Sequence, residues 1–272
     1  MDSGWRLFLR TIVARAYPRV IGQMRQRSWL FFETLLPFVA VTAYVYVYRA
    51  MDASQDFIGF AVMGGAMTAF WLNVIWSMSA QMYWEKDNGN LALYIMAPNS
   101  MMAILLGMAL GGMVSTSLRA AVILIFGIWI FHIHFAVSNF SQLFAVFLLT
   151  MSSLYGLGML SASLFLLYGR NVWQINAMMQ EPIYLVSGFY FPVKNFGMAV
   201  SLAASIIPMT LGMDAMRQLM FASGPAIGFL PIRTEIIGLV ILSMVFVTAA
   251  KYWLDKVERL AILEGTLTDR RK

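Results

Sequence analysis

Tyr83 to Ser100 reads YWEKDNGNLALYIMAPNS, and it interrupts two apolar runs that are each long enough to cross a bilayer. Glu85, Lys86 and Asp87 are hydrated side chains, and Asn88-Gly89-Asn90 favours a turn or a helix start. Leu91, Leu93, Tyr94 and Met96 can then form a short amphipathic helix that Ala97 and Pro98 stop. A helix of about two turns lying along the membrane, with Leu91 and Tyr94 turned to the cytoplasm, suits a groove on another protein. The alternative is an ordinary polar loop.

Outward from this stretch the composition is that of an integral membrane protein: 60% hydrophobic residues, 12% charged and a mean hydropathy of +0.73 over 272 residues. The expected architecture is a single all-α membrane domain with six spans, at 29–48, 57–80, 101–131, 143–168, 172–191 and 236–254. The third run is too long for a perpendicular crossing, since 31 residues at ~1.5 Å each exceed a hydrocarbon core of ~30 Å. Its first turns therefore lie in the cytoplasm, or the helix tilts. Between spans five and six, Pro192, an apolar piece from Phe196 to Ile207, Pro208 and the piece from Met213 to Phe221 are each too short to cross. They predict an external re-entrant helical pair over 192–222.

Basic residues in short loops set the orientation. Arg6, Arg10, Arg15, Arg19, Arg25 and Arg27 precede the first span, and Lys251, Lys256, Arg259, Arg270, Arg271 and Lys272 follow from the last. Both termini are expected in the cytoplasm, with 255–272 as a tail, and an even number of spans agrees. The 84–100 segment is then cytoplasmic and the helical pair external. No signal peptide is evident, because the first apolar run has full span length and lacks a small-residue cleavage pattern. Over residues 1–28, Trp5, Phe8, Ile12, Ala16 and Val20 recur at helical spacing among arginines, the pattern of a basic interfacial helix. It can act as a gate beside an entrance, or only as an anchor.

Several activities are excluded by motif. Gly is never followed by Lys, so no Walker A loop exists and ATP-driven work needs a second polypeptide. There is no G-x-S-x-G and no H-E-x-x-H. The two histidines, His132 and His134, offer half a metal site with no carboxylate partner, so neither a catalytic set nor a metal site is expected. Without cysteine there is no disulfide framework and no thiolate chemistry.

The residues resemble those of a known family, the membrane (permease) subunits of type-2 ABC transporters, which are mostly bacterial exporters. An E-x-x-x-G-x-L-x-x-L-x-x-x-P-x-S pattern after the second span is met by Glu85, Gly89, Leu91, Pro98 and Ser100, with Tyr94 near the usual second Leu. A second signature, a fifth span running into SG-x-x-(F/Y)-P and then P-x-x-x-x-x-(D/E)-x-x-R, is met by Ser187, Gly188, Tyr190, Pro192, Pro208, Asp214 and Arg217. The resemblance covers nearly the whole chain. It implies a half-transporter that pairs with a second permease copy or a related chain, and with two nucleotide-binding ATPase subunits that hold ATP and Mg. Glu85, Gly89, Leu91, Tyr94 and Pro98 would couple to the ATPase, and Pro192, Pro208, Asp214 and Arg217 would belong to an external cap. The implied setting is the bacterial inner membrane, with lipid as the remaining partner and no role for nucleic acid.

Ionisable residues inside spans are site candidates by default. Arg170, Gln174 and Glu181 share a helical stripe at spacings of four and seven, which can line a pathway or a dimer seam. Arg119 can pair with Glu33 or Glu181, or sit at the inner interface, and Glu33 lies near Arg25 and Arg27. The expected function is export of a hydrophobic or amphipathic small molecule, drug or lipid-linked compound. The alternatives are a polysaccharide or glycolipid exporter of the same family, and a channel or ion-coupled transporter that needs no ATPase.

Overall fold

The computed structural model describes residues 4–96, 100–168 and 170–264, and among these the ordered elements are helical. A long α1 (Gly4–Arg25) leads into α2 (Arg27–Ala50). Next comes α3 (Gln55–Leu72), which continues through a π-helical turn, Asn73–Met78, into α4 (Gln81–Asp87). The short α5 (Leu91–Met96) precedes α6 (Met101–Phe131), α7 (Phe140–Tyr168) and α8 (Arg170–Val186). A 3-10 turn at Val193–Phe196 and the helices α9 (Met198–Ala204), α10 (Pro208–Met220) and α11 (Gly224–Ile227) then lead to α12 (Ile232–Glu264).

Among the described residues, five helical stretches are long and apolar enough to cross a membrane: 30–50, 55–87, 101–131, 140–166 and 232–259. A sixth is reached if α9 and α10, bent by 112° at their junction, are counted together. Over the expected fifth span, 172–191, the structure has the shorter α8. α8 ends at Val186 after 17 residues, because Gly188 takes a left-handed backbone (φ +73°) and turns the chain. At ~1.5 Å per residue such a helix is about 25 Å long, short of a ~30 Å core.

The core forms around α3. Every residue from Ile58 to Trp71 is buried, so this helix has no face left for lipid. Such burial requires close neighbours, and small residues supply them. A Cβ on Gly64 would meet the Phe189 carbonyl oxygen at 1.6 Å, one on Gly65 the Val41 side chain at 1.9 Å, and one on Gly127 of α6 the Val62 side chain at 2.3 Å. Small residues at these positions let the helices approach closely. Outside this centre α12 packs along α7, joined by the Ser153 hydroxyl donating to the Leu239 carbonyl at 2.9 Å.

α1 packs along the first half of α6, which explains the length of that helix. A Cβ on Gly107 would lie 2.6 Å from the Ile12 carbonyl oxygen, and one on Gly111 2.8 Å from that of Ala16. The apolar face read from the sequence splits in two. Phe8, Ile12 and Ala16 turn toward α6, whereas Trp5 joins Leu9, Val13 and Tyr17 on an exposed stripe.

Gly107→Leu and Gly111→Leu meet backbone, which cannot yield as a side chain can. Each is expected to destabilise the protein by about 1–3 kcal/mol. Gly22→Ala, on the same α1 with nothing within 4 Å, should be neutral or stabilising. Thermal unfolding in detergent measures all three.

Candidate functional site

The spacing of Glu85, Gly89 and Leu91 has a structural cause. α4 ends in a Schellman turn: Gly89 adopts φ +79°, its N–H donates to the Lys86 carbonyl at 3.0 Å, and the Asn90 N–H donates to the Glu85 carbonyl at 2.8 Å. A residue with a Cβ is strained in this conformation, which is why glycine follows the glutamate by four. The Asn90 side-chain amide donates to Glu85 Oε2 at 2.8 Å, and the Asn90 carbonyl accepts the Tyr94 N–H at 3.2 Å, starting α5. Leu91 is then driven inward.

That placement corrects the outward face expected of α5. Leu91 is 1% exposed and anchors the helix from below, while Leu93 and Met96 are 60% and 76% exposed. Trp84, on α4, is also exposed. Tyr94 is only half-buried, with its ring 4.8 Å beneath the Arg15 guanidinium. Burial, reinforced by the Glu85 carboxylate, pushes the Tyr94 hydroxyl up to about 12 against the pull of Arg15. Pro98 lies outside the described residues.

Glu85 is the centre of a polar cluster that ties this turn to α1. Its carboxylate pairs with Arg15 and accepts from the Gln81 amide at 3.1 Å. One turn along α1, Arg19 donates to Gln81 Oε1 at 2.6 Å and to the Ser77 hydroxyl at 2.7 Å. Ser115 of α6 donates to Gln23. The sequence reading missed Arg15, Arg19 and Gln81 as partners of the motif. The signal was a matched spacing, two arginines four apart on one helix facing Gln81 and Glu85 four apart on another.

Of the two partners open to Arg119, the structure selects Glu33: the pair is made between α6 and α2, and Arg119 also donates to Thr116 Oγ1 at 2.9 Å. Glu181 is exposed on α8, with Gln174, Ala177, Met178 and Pro182 on the same uncovered face. The opposite side of α8 is held by Trp76, whose indole N–H donates to Gln180 Oε1 at 2.6 Å. The Arg170 side chain lies outside the described residues.

The residues of the second signature converge elsewhere. Arg217 is buried and donates to the Phe189 carbonyl at 2.9 Å and the Phe191 carbonyl at 3.4 Å, with its guanidinium 5.2 Å from the Phe60 ring centroid. It thereby clasps the turn made by Gly188 and closed by Pro192. Asp214 accepts the Phe229 N–H at 2.7 Å and the Gln218 amide at 3.0 Å, which fixes the chain between α11 and α12. Pro208 occupies the first turn of α10, where a missing N–H costs nothing.

Two stability measurements check these assignments. Gly89→Ala should cost about 1 kcal/mol and Gly89→Asn less, since Asn tolerates the left-handed region. Glu33→Gln should cost more than Arg119→Gln, because it strands a guanidinium whose side chain is 7% exposed, whereas the reverse leaves a carboxylate 32% exposed. Equal losses would contradict the pairing as described.

The family model for the ABC-2 type transporter matches residues 9–221, well over half of the chain. No curated protein matches it. The matched segment runs from α1 through the Glu85 turn and the α8 stripe to the Arg217 clasp. The chain belongs to the ABC-2 type transporter membrane family.

Proposed function

We propose that this chain is the permease subunit of an ATP-driven exporter in a bacterial inner membrane, with both termini cytoplasmic. The observation that carries the reading is α5: a two-turn helix whose Leu93 and Met96 are exposed, as is Trp84 of α4, and which is mounted on a capped turn braced by Glu85 and Arg15. An exposed apolar tip on a rigid polar base suits a cleft in a nucleotide-binding subunit. The chain has no phosphate-binding loop of its own, so that subunit must bind ATP and Mg. Force applied at α5 passes to α4 and the buried α3 through continuous helix, and to α1 through Arg15 and Arg19.

In this reading α8 crosses as a short, bent span, and α9 with α10 forms the external re-entrant cap clasped by Arg217. The uncovered α8 face with Gln174 and Glu181 lines the pathway or the seam with a second permease copy, since a charged side chain facing lipid is costly. A cavity of about 410 Å³ with a nearly all-apolar lining, Met63, Phe70, Phe147 and Met216 among it, favours a hydrophobic or amphipathic cargo over a glycan.

Coexpression with candidate ATPase subunits and copurification tests the docking assignment. Leu93→Glu combined with Met96→Glu should abolish copurification while leaving the unfolding temperature of the chain unchanged. Unchanged association and ATP turnover, or transport by the chain alone in proteoliposomes, would refute the exporter reading.

A further inference from the structure

A second polar feature lies beside the Glu85 cluster. Between α1, α4 and α6 is a cavity of about 180 Å³ lined by Arg15, Pro18, Arg19, Gln81, Glu85 and Met108. Its charges do not balance. Arg15 is matched by Glu85, but the groups that accept from Arg19 are neutral, the Gln81 carbonyl and the Ser77 hydroxyl. Among the described residues the Arg19 Nε, shielded from solvent behind the cavity, has no hydrogen-bond partner. Burial lowers the Arg19 guanidinium to about 10, which still leaves it charged at neutral pH. Two guanidiniums thus share the single carboxylate of Glu85, and the surplus positive charge at the cavity calls for an anion.

The setting of α1 indicates which anion. Trp5, Leu9, Val13 and Tyr17 form an exposed apolar stripe, and the adjoining face carries Arg15 and Arg19 toward the cavity. A helix lying with such a stripe at the headgroup boundary holds its flanking arginines at the depth of lipid phosphates. Arginine presents a planar fork that suits phosphate oxygens.

We infer that the cavity bounded by Arg19, Arg15 and Gln81 binds a phosphate-type oxyanion, supplied by the headgroup of an anionic inner-leaflet lipid. The bound phosphate completes the charge of Arg19 and bridges α1 to the base of the Glu85 turn. The oxyanion site rests on this cavity alone, and the choice of the inner leaflet rests on the cytoplasmic termini of the proposed function.

The test uses the full chain purified in detergent. Native mass spectrometry in equimolar phosphatidylglycerol and phosphatidylcholine should show about tenfold preferential retention of the anionic lipid. Arg19→Gln should remove that preference, and Arg6→Gln, an exposed residue remote from the cavity, should keep it. Gln81→Glu is the decisive variant: it gives up the amide bond to Glu85 but leaves two carboxylates facing the two guanidiniums of Arg15 and Arg19, so the cluster is neutral without loss of a cation and should fold and lose the preference. In parallel, thermal unfolding is followed against inorganic phosphate at constant ionic strength. Saturable stabilisation by phosphate that Gln81→Glu abolishes, with no lipid preference, would uphold the oxyanion site and assign it to free phosphate instead. No preference for either ligand over phosphatidylcholine and chloride, or binding that survives Gln81→Glu, overturns the inference.

Discussion

Gly64 has no side chain, and the carbonyl oxygen of Phe189 occupies the space that one would take. The architecture depends on this kind of contact, because α3 is enclosed on all sides and only residues without bulk allow neighbours to come so near. In lipid there is little hydrophobic gain in pressing one apolar helix against another, so close packing and buried polar contacts have to hold the bundle. The same contact sets the end of α8: the chain turns at Gly188, delivers the Phe189 carbonyl to Gly64, and offers it at once to Arg217. One carbonyl thus joins the central helix, the α8 turn and α10.

Around that centre the charged residues meet partners in local groups. Arg119 with Glu33 joins α6 to α2, Arg15 with Glu85 joins α1 to α4, and on α10 Arg217 holds the Phe189 carbonyl while Asp214 accepts the Phe229 N–H. Each places a charge where a partner limits the desolvation cost. The π-helical turn at Asn73–Met78 lies between the first two groups, and Asn73 accepts from Tyr155 of α7 at 3.1 Å. Such turns interrupt the regular ladder and frequently mark functional positions. Here it links the buried α3 to α4, the helix that carries the Glu85 turn.

Much of this was legible in one dimension because it depends on local chemistry or on length. The 31 residues of α6 run from Met101 to Phe131 as their hydropathy indicates, and Pro208 starts α10. The Gly89 turn follows from a conformation that glycine adopts at little cost. Less legible were features that need two distant segments. The face of α5 was misread, since whether Leu91 or Leu93 points outward depends on what lies beneath the helix, and a six-residue amphipathic pattern admits either rotation. The end of α8 was not legible because apolar residues continue past Val186, whereas the helix stops where Gly188 meets Arg217.

By itself, then, the sequence determined an all-helical membrane protein, the points where glycine and proline turn or start its helices, the lack of any phosphate-binding loop and the motif order of its family. These follow from composition, hydropathy length and backbone conformations that each residue carries wherever it is placed. Only the tertiary structure decided which charges meet, which side of α5 is free, that α1 lies against α6, and that Arg19 donates to the neutral Gln81 and Ser77. Those depend on approach distances between helices far apart in the chain, and such distances are set by packing that no local pattern encodes.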